Sequence, residues 1–298
     1  MGTTVTIDAP AAGQPPIDRA FEWFRTVEQI CTRFDPASEL CALTQRVMTP
    51  VTTSPILFEA VRFAVHIAEV SGGAFDPTLG ATMQRRGFDR EHRTGARVPE
   101  MVAPGDHVTF RDVAVDPEHH TITLQRPLLL DLGAVAKGLA IDLAVRELRS
   151  CGSFAIDAGG DLYLGGVNGQ GEPWSIGIRH PRHAGRCITA VRVSDAAVCT
   201  SGDYERVAGA PGTTIQHHIV DPRTGSSPPQ VASVTVIAPS AMLADALGTA
   251  AFVLGPERGL RLLEQLGVDG MIITPDLEQS HTAGWPDWSP ISVEAAGE

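Results

Sequence analysis

Between residues 126 and 166 an apolar strand, a glycine, a helix, a second glycine and another strand follow one another. The stretch ends in the cluster Asp157-Ala158-Gly159-Gly160-Asp161. Apolar spacing puts the helix at about 135–150 and the strand after it at 153–157. A second strand-to-helix unit covers 231–267. Its VASVTVIA segment is a strand by β-branched content, and Ser240 caps a helix running through Ala244, Asp245 and Thr249 to Gly255. Pro256-Glu257 opens a further helix to about Leu266, and a last strand is expected at 270–274. Around these units the sequence predicts an edge strand at 2–7 and an amphipathic helix at 17–33, with Ile17, Phe21, Phe24, Val27 and Ile30 on one stripe. The loop after that helix holds Pro36 and Ser38-Glu39-Leu40. A second amphipathic helix at 55–70 buries Leu57, Phe58, Val61, Ala64, Val65 and Ala68 and stops at Ser71-Gly72-Gly73. Short strands are expected at 107–115, 121–125, 174–179, 187–193 and 196–200. The chain reads as a single domain over 1–298, with an exposed polar excursion at about 81–106 and a tail at about 276–298 that holds Trp285 and Trp288.

Charge and cysteine usage remove several function classes. Lys plus Arg (23) against Asp plus Glu (35) gives a net charge of −12, the wrong sign for a nucleic-acid footprint. A phosphate-bearing small ligand stays open, because a few local cations or a metal ion can hold one. The five cysteines, Cys31, Cys41, Cys151, Cys187 and Cys199, form no CxxC pair and read as reduced thiols. No stretch approaches the roughly 20 apolar residues of a membrane span. Residues 1–16 show neither a basic region nor an apolar one. The expectation is a cytoplasmic chain, or an exported one if a leader has been trimmed away.

Glycines beside strand ends let a ligand approach the backbone, and carboxylates accompany them here. Neither GxGxxG nor GxxxxGK[ST] is present. Asp76, Asp131, Asp161, Asp203, Asp221 and Asp245 all fall at strand ends or helix starts, where oxygen ligands for a hard cation project. Asp245 and Thr249, four residues apart on one helix, direct two oxygens to one place and suit Mg²⁺. An Asp favoured by the helix dipole and a Thr bonded back to its own helix fit the same pattern. His217 and His218 precede the tight turn Asp221-Pro222-Arg223-Thr224-Gly225, where a histidine can serve as acid or base or simply face water. Lys137, inside an apolar helix start, either snorkels to solvent or neutralises a phosphate.

Taken in order, the motifs are Met1-Gly2-Thr3, Asp35-Pro36-Ala37-Ser38-Glu39-Leu40, Gly72-Gly73-Ala74-Phe75-Asp76 and Asp131-Leu132-Gly133-Ala134-Val135-Ala136-Lys137-Gly138. Ala158-Gly159-Gly160-Asp161, Thr200-Ser201-Gly202-Asp203-Tyr204, His218 through Gly225, and Ala244-Asp245-Ala246-Leu247-Gly248-Thr249 follow. This series resembles the ApbE-type FAD:protein FMN transferases from residue 1 to about 275. The resemblance implies an α+β fold related to the tunnelling-fold enzymes, with mixed or antiparallel sheets packed with helices. It implies a Mg²⁺-dependent reaction in which FAD is cleaved at its pyrophosphate and AMP leaves. FMN then becomes attached through a phosphoester to a Thr or Ser of an acceptor flavoprotein. By the same resemblance Mg²⁺ is held at Ala134, Asp245 and Thr249. FAD contacts Met1, Phe34, Ala74, Phe75, Asp76, Asp131, Lys137 and Val220. His218 and Asp245 are the catalytic residues, His218 activating the acceptor hydroxyl or transiently taking the FMN.

Two positions depart from the family pattern. Gly248 stands where some members carry a second acidic group, and Phe34 stands where others have Tyr. Residues 221–227, DPRTGSS, are faintly similar to the acceptor motif but belong to the turn, so the acceptor is expected to be a separate polypeptide. A Mg²⁺-dependent FAD pyrophosphatase giving free FMN and AMP would use the same residues, whereas Asp245, Thr249 and Lys137 count against a flavin-binding carrier without turnover, which has little need of a metal at the pyrophosphate.

Overall fold

The computed structural model describes residues 2–10, 14–91, 94–98, 107–205, 207–208 and 216–286. In chain order the first half contains β1 (Val5–Asp8), α1 (Gln14–Cys31), α2 (Glu39–Thr44), β2 (Val51–Thr52), α3 (Pro55–Val70), α4 (Gly80–Arg85), β3 (Val113–Asp116), β4 (Thr121–Leu124) and α5 (Gly133–Leu148). Next come β5 (Phe154–Ala158), β6 (Asp161–Gly165), β7 (Trp174–Arg179), β8 (Cys187–Val193), β9 (Ala196–Gly202), β10 (Val207–Ala208) and β11 (Gln216–His217). The chain closes with β12 (Ser233–Ala238), α6 (Ala241–Leu254), α7 (Pro256–Gln265), β13 (Asp269–Ile273) and β14 (Gln279–His281).

Seven strands form one sheet in the order β1-β5-β6-β9-β12-β13-β14, with every neighbouring pair antiparallel. Its two faces follow the period of two along each strand. Tyr163, Ala197, Cys199, Val234, Val236 and Ile272 point into the large core beneath α5 and α6. Leu164, Val198, Met271 and Ile273 point the other way, where the β7–β8 hairpin covers them with Ile178, Val191 and Val193. A three-stranded sheet, β2-β4-β3, lies beyond α3. Helix α1 lies along α5 and is tied to it where Arg19 and Trp23 both donate to Glu147, at 2.7 and 3.2 Å.

Two residues of α5 fix where α6 starts. Gly138 lies against the backbone of Ala241 and Met242, so any Cβ there would overlap it. Asp142 accepts from Ser240 Oγ (2.7 Å), Ala241 N (2.7 Å) and Met242 N (3.1 Å), satisfying the donors that a helix N-terminus leaves unpaired. Asp142→Ala strands all three donors and is expected to cost about 2–3 kcal/mol. Urea unfolding measures this, and a wild-type midpoint would contradict it.

Several elements depart from the sequence expectation. The apolar run Leu128-Leu129-Leu130 is buried but forms no regular strand, joined to Leu79 by a single parallel bridge at Leu129. A continuous apolar run reports burial, not partners. Ser38-Glu39-Leu40 opens α2 instead of forming a loop, because the Ser38 side chain accepts from Cys41 N. The strand expected at 107–115 starts only at Val113, after a turn of 3₁₀ helix, Phe110–Asp112, capped reciprocally by Thr109 and Asp112. The excursion at 81–106 begins as helix α4 and buries Ala81, Asp89 and Val98, with 94–97 exposed at its tip. In the tail, β14 adds the last strand and Trp285 enters the smaller core, whereas Trp288 lies outside the described residues.

Candidate active site

Three elements bring charge together on the helical face of the sheet. Helix α5 presents Ala134 and then Lys137, β6 starts at Asp161, and α6 carries Asp245. Lys137 pairs with Asp161, which is 2% exposed. Burial alone would pull the ammonium down, but Asp245 and Asp161 outweigh it and hold Lys137 above its ordinary value. Cys199, beside them on β9, has its thiol pushed well up, first by burial and then by Asp161 and Asp245, so it stays neutral. Lys137→Met leaves Asp161 buried without its ammonium and is expected to cost about 3 kcal/mol. An unchanged unfolding midpoint would overturn that reading of the pair.

Thr249 lies one turn beyond Asp245, half-buried, and Asp245 is 8% exposed. Gly248 faces β9, where a Cβ would come 3.1 Å from Ser201 Oγ. A side chain at 248 would therefore need the Ser201 hydroxyl to give way slightly.

A second group forms where α1 ends. Asp131 accepts from Gly133 N at the start of α5 (2.9 Å) through Oδ1 and from Arg33 Nε (2.8 Å) through Oδ2. The Arg33 guanidinium stacks over Phe34, 4.2 Å from the ring centroid. Asp131 and Phe34 thus belong to one assembly. The Ala74-Phe75-Asp76 stretch is placed differently. Ala74 and Phe75 are core side chains, and Asp76 accepts from Thr78 N, Thr78 Oγ1 and Phe110 N at 2.9, 2.7 and 3.0 Å. Burial pushes the Asp76 carboxyl up against those hydrogen bonds. Both its oxygens accept hydrogen bonds inside the fold.

His218 is half-buried between β11 and the Asp221 turn, with Ile219 and Val220 buried after it. Asp221 grips Arg223 through Nε (3.0 Å) and Nη2 (2.9 Å). From the end of α4, Arg86 donates to Gly225 O (2.8 Å) and Ser227 Oγ (2.6 Å), bracing the same turn. The His217 ring lies edge-on to Phe252, with centroids 5.3 Å apart. Asp245, Thr249 and Phe252 share one face of α6 by their spacing, so His217 abuts the helix that carries the proposed metal donors. Met1 lies outside the described residues. Thr3, two residues on, touches the position a Cβ on Gly159 would take. Gly159, at φ +67°, is left-handed as well as crowded.

Comparison with known proteins fixes the lineage of this arrangement. The family model of the ApbE family matches residues 1–272. The chain belongs to the ApbE family. Among curated ApbE relatives, the FAD:protein FMN transferase of Treponema pallidum is 36% identical over 296 residues, covering 91% of this chain and 80% of the relative. The Vibrio cholerae transferase is 32% identical, covering 84% and 76%. Among solved structures, the ApbE protein of Thermotoga maritima superposes with a TM-score of 0.84 at 28% identity, covering 95% of this chain and 94% of that one. The flavin transferase ApbE of Vibrio cholerae gives 0.76 at 29% identity, covering 95% and 94%. Both agree with the α+β architecture of antiparallel sheets and helices described above. Arg33, Arg86 and Asp142 were absent from the sequence-derived site. Their partners lie 98, 139 and 98 residues away, a separation that no local spacing reports.

Proposed function

We propose that this chain is a Mg²⁺-dependent FAD:protein FMN transferase that joins FMN to a Ser or Thr hydroxyl of a separate acceptor flavoprotein and releases AMP. One observation carries the reading: Lys137, Asp161 and Asp245 converge from three elements, with the Thr249 hydroxyl one helical turn beyond Asp245. On a chain of net charge −12, an anionic dinucleotide needs local cations. Lys137 carries one such charge, but Asp161 and Asp245 offset it, so a bound metal ion would have to supply the net positive charge.

The donors fit Mg²⁺ chemically. A carboxylate, a hydroxyl and the Ala134 carbonyl are hard oxygens. Among the described residues no group of three or more His, Cys, Asp or Glu is arranged to hold a metal, so phosphate oxygens and water would complete the shell. When bound, the ion would supply charge neutralisation at the pyrophosphate. Lys137 holds the anionic ligand, and Asp131 and Phe34 form one wall of its site. His218 takes the proton from the acceptor hydroxyl as that oxygen bonds to phosphorus and AMP departs. Among the described residues no helix is long and apolar enough to cross a membrane.

Incubation with FAD, Mg²⁺ and a flavin-acceptor domain, followed by intact mass of the acceptor, tests the proposal. A gain of one FMN that EDTA abolishes is the expected result. AMP and free FMN without a mass gain would point to the pyrophosphatase or to an unsuitable acceptor. Bound FAD with neither product would establish a carrier.

A further inference from the structure

Arg33 is 4% exposed and sits two residues beyond the end of α1. Its Nε donates to Asp131 Oδ2 at 2.8 Å, and its Nη2 donates to Phe88 O at 2.7 Å. Its Cζ lies over the Phe34 ring, 4.2 Å from the centroid. Its Nη1 is buried without a hydrogen-bond partner among the described residues. A buried guanidinium with an unmade hydrogen bond is a poor way to gain stability. Its geometric effect, however, is specific. Asp131 is still 23% exposed, and Phe34 is half-buried, so both present a surface while Arg33 fixes them from behind.

We propose that Arg33 is a positioning residue for the dinucleotide, holding the Asp131 carboxylate and the Phe34 ring as one preorganised wall. The inference rests on the flavin reading above. Arg33 does two things there. It cancels the charge of a carboxylate that would otherwise repel an anionic ligand, leaving Asp131 as a hydrogen-bond acceptor for the ligand's hydroxyl or amine groups. It also locks the Phe34 ring through a planar cation–π contact, for which the lysine ammonium is no substitute. Preorganisation of this kind acts on binding rather than on the chemical step.

The test is FAD-dependent AMP release at saturating acceptor and Mg²⁺, with wild type, Arg33→Gln, Arg33→Lys, Asp131→Asn and the Arg33→Gln/Asp131→Asn double variant. Arg33→Gln is expected to raise KM for FAD about tenfold, equivalent to about 1.4 kcal/mol, with kcat within about twofold. In the Asp131→Asn background the same change adds less than about twofold, because its main target is gone. Arg33→Lys raises KM by about threefold, keeping the charge but losing the planar fork. An unchanged KM in Arg33→Gln, or the full tenfold effect persisting without the Asp131 carboxylate, would overturn the proposal. Should Arg33→Gln fail to fold, Arg33→Lys decides: a wild-type KM rejects the role. Equilibrium FAD binding to the wild type separates the two layers, since a wild-type chain that binds no FAD overturns the flavin reading itself.

Discussion

Asp245→Asn is expected to lower FMN transfer by about 10³-fold and to abolish its dependence on Mg²⁺. The substitution keeps the volume and most of the hydrogen-bonding capacity of a side chain that is 8% exposed on a helix buried between α5 and the sheet. What it removes is one negative charge. Lys137 retains Asp161, so the fold keeps its buried ion pair while the oxygen set at the proposed metal position loses its anionic member. A second readout does not depend on turnover. Mg²⁺ at about 100 times its dissociation constant stabilises the protein that binds it by about 2.7 kcal/mol, so the FAD-loaded wild type should melt higher with the ion. The variant should show no such shift. A variant that Mg²⁺ still stimulates, or still stabilises to the wild-type extent, would remove Asp245 from the metal site.

The sequence made α3, β7, β8 and the Ser240 cap legible because each is specified locally. Ser54 and Pro55 start α3, the Gly72-Gly73 pair ends it at φ +62° and +79°, and the apolar spacing between them is helical. Ser240 accepts from Leu243 N as an N-cap should. Elements specified from a distance were not legible. β6 is a short strand defined by its pairing between β5 and β9, β14 is a short edge defined only by β13, and α2 is six residues whose stability comes from burying Leu40, Cys41 and Leu43. The site divides in the same way. Asp245 and Thr249 could be paired from their spacing alone. That Lys137 reaches Asp161, or that Arg33 backs Asp131, follows from the packing of α5 on the sheet and of α1 on α5. Asp76 shows the converse. Its motif reads as a ligand contact, and its oxygens also accept from the Thr78 and Phe110 backbone, a structural duty that the motif does not announce, because a carboxylate after a glycine turn serves a turn as readily as a ligand.

His218→Ala is expected to reduce FMN transfer by about 10²–10⁴-fold while leaving FAD affinity within about twofold of wild type. The separation follows from how the histidine is mounted. On one side, His217 Nε2 lies 3.3 Å from Pro228 O, and the His217 carbonyl accepts from Ser227 Oγ at 2.8 Å. On the other, Ile219 and Val220 are buried, and the turn beyond them is closed by Asp221 N to Ser226 O at 2.8 Å. Backbone position at 218 is therefore set by its neighbours, and removing the imidazole leaves the chain where it was. His217→Ala is the contrasting variant. Burial pulls the His217 imidazole below its ordinary pKa, and the ring packs on Phe252, so its loss should act on stability before chemistry. Transfer kinetics, FAD titration and thermal melting of the two variants side by side distinguish them. If His218→Ala transfers FMN at the wild-type rate, the acceptor proton goes elsewhere and the role assigned to His218 fails.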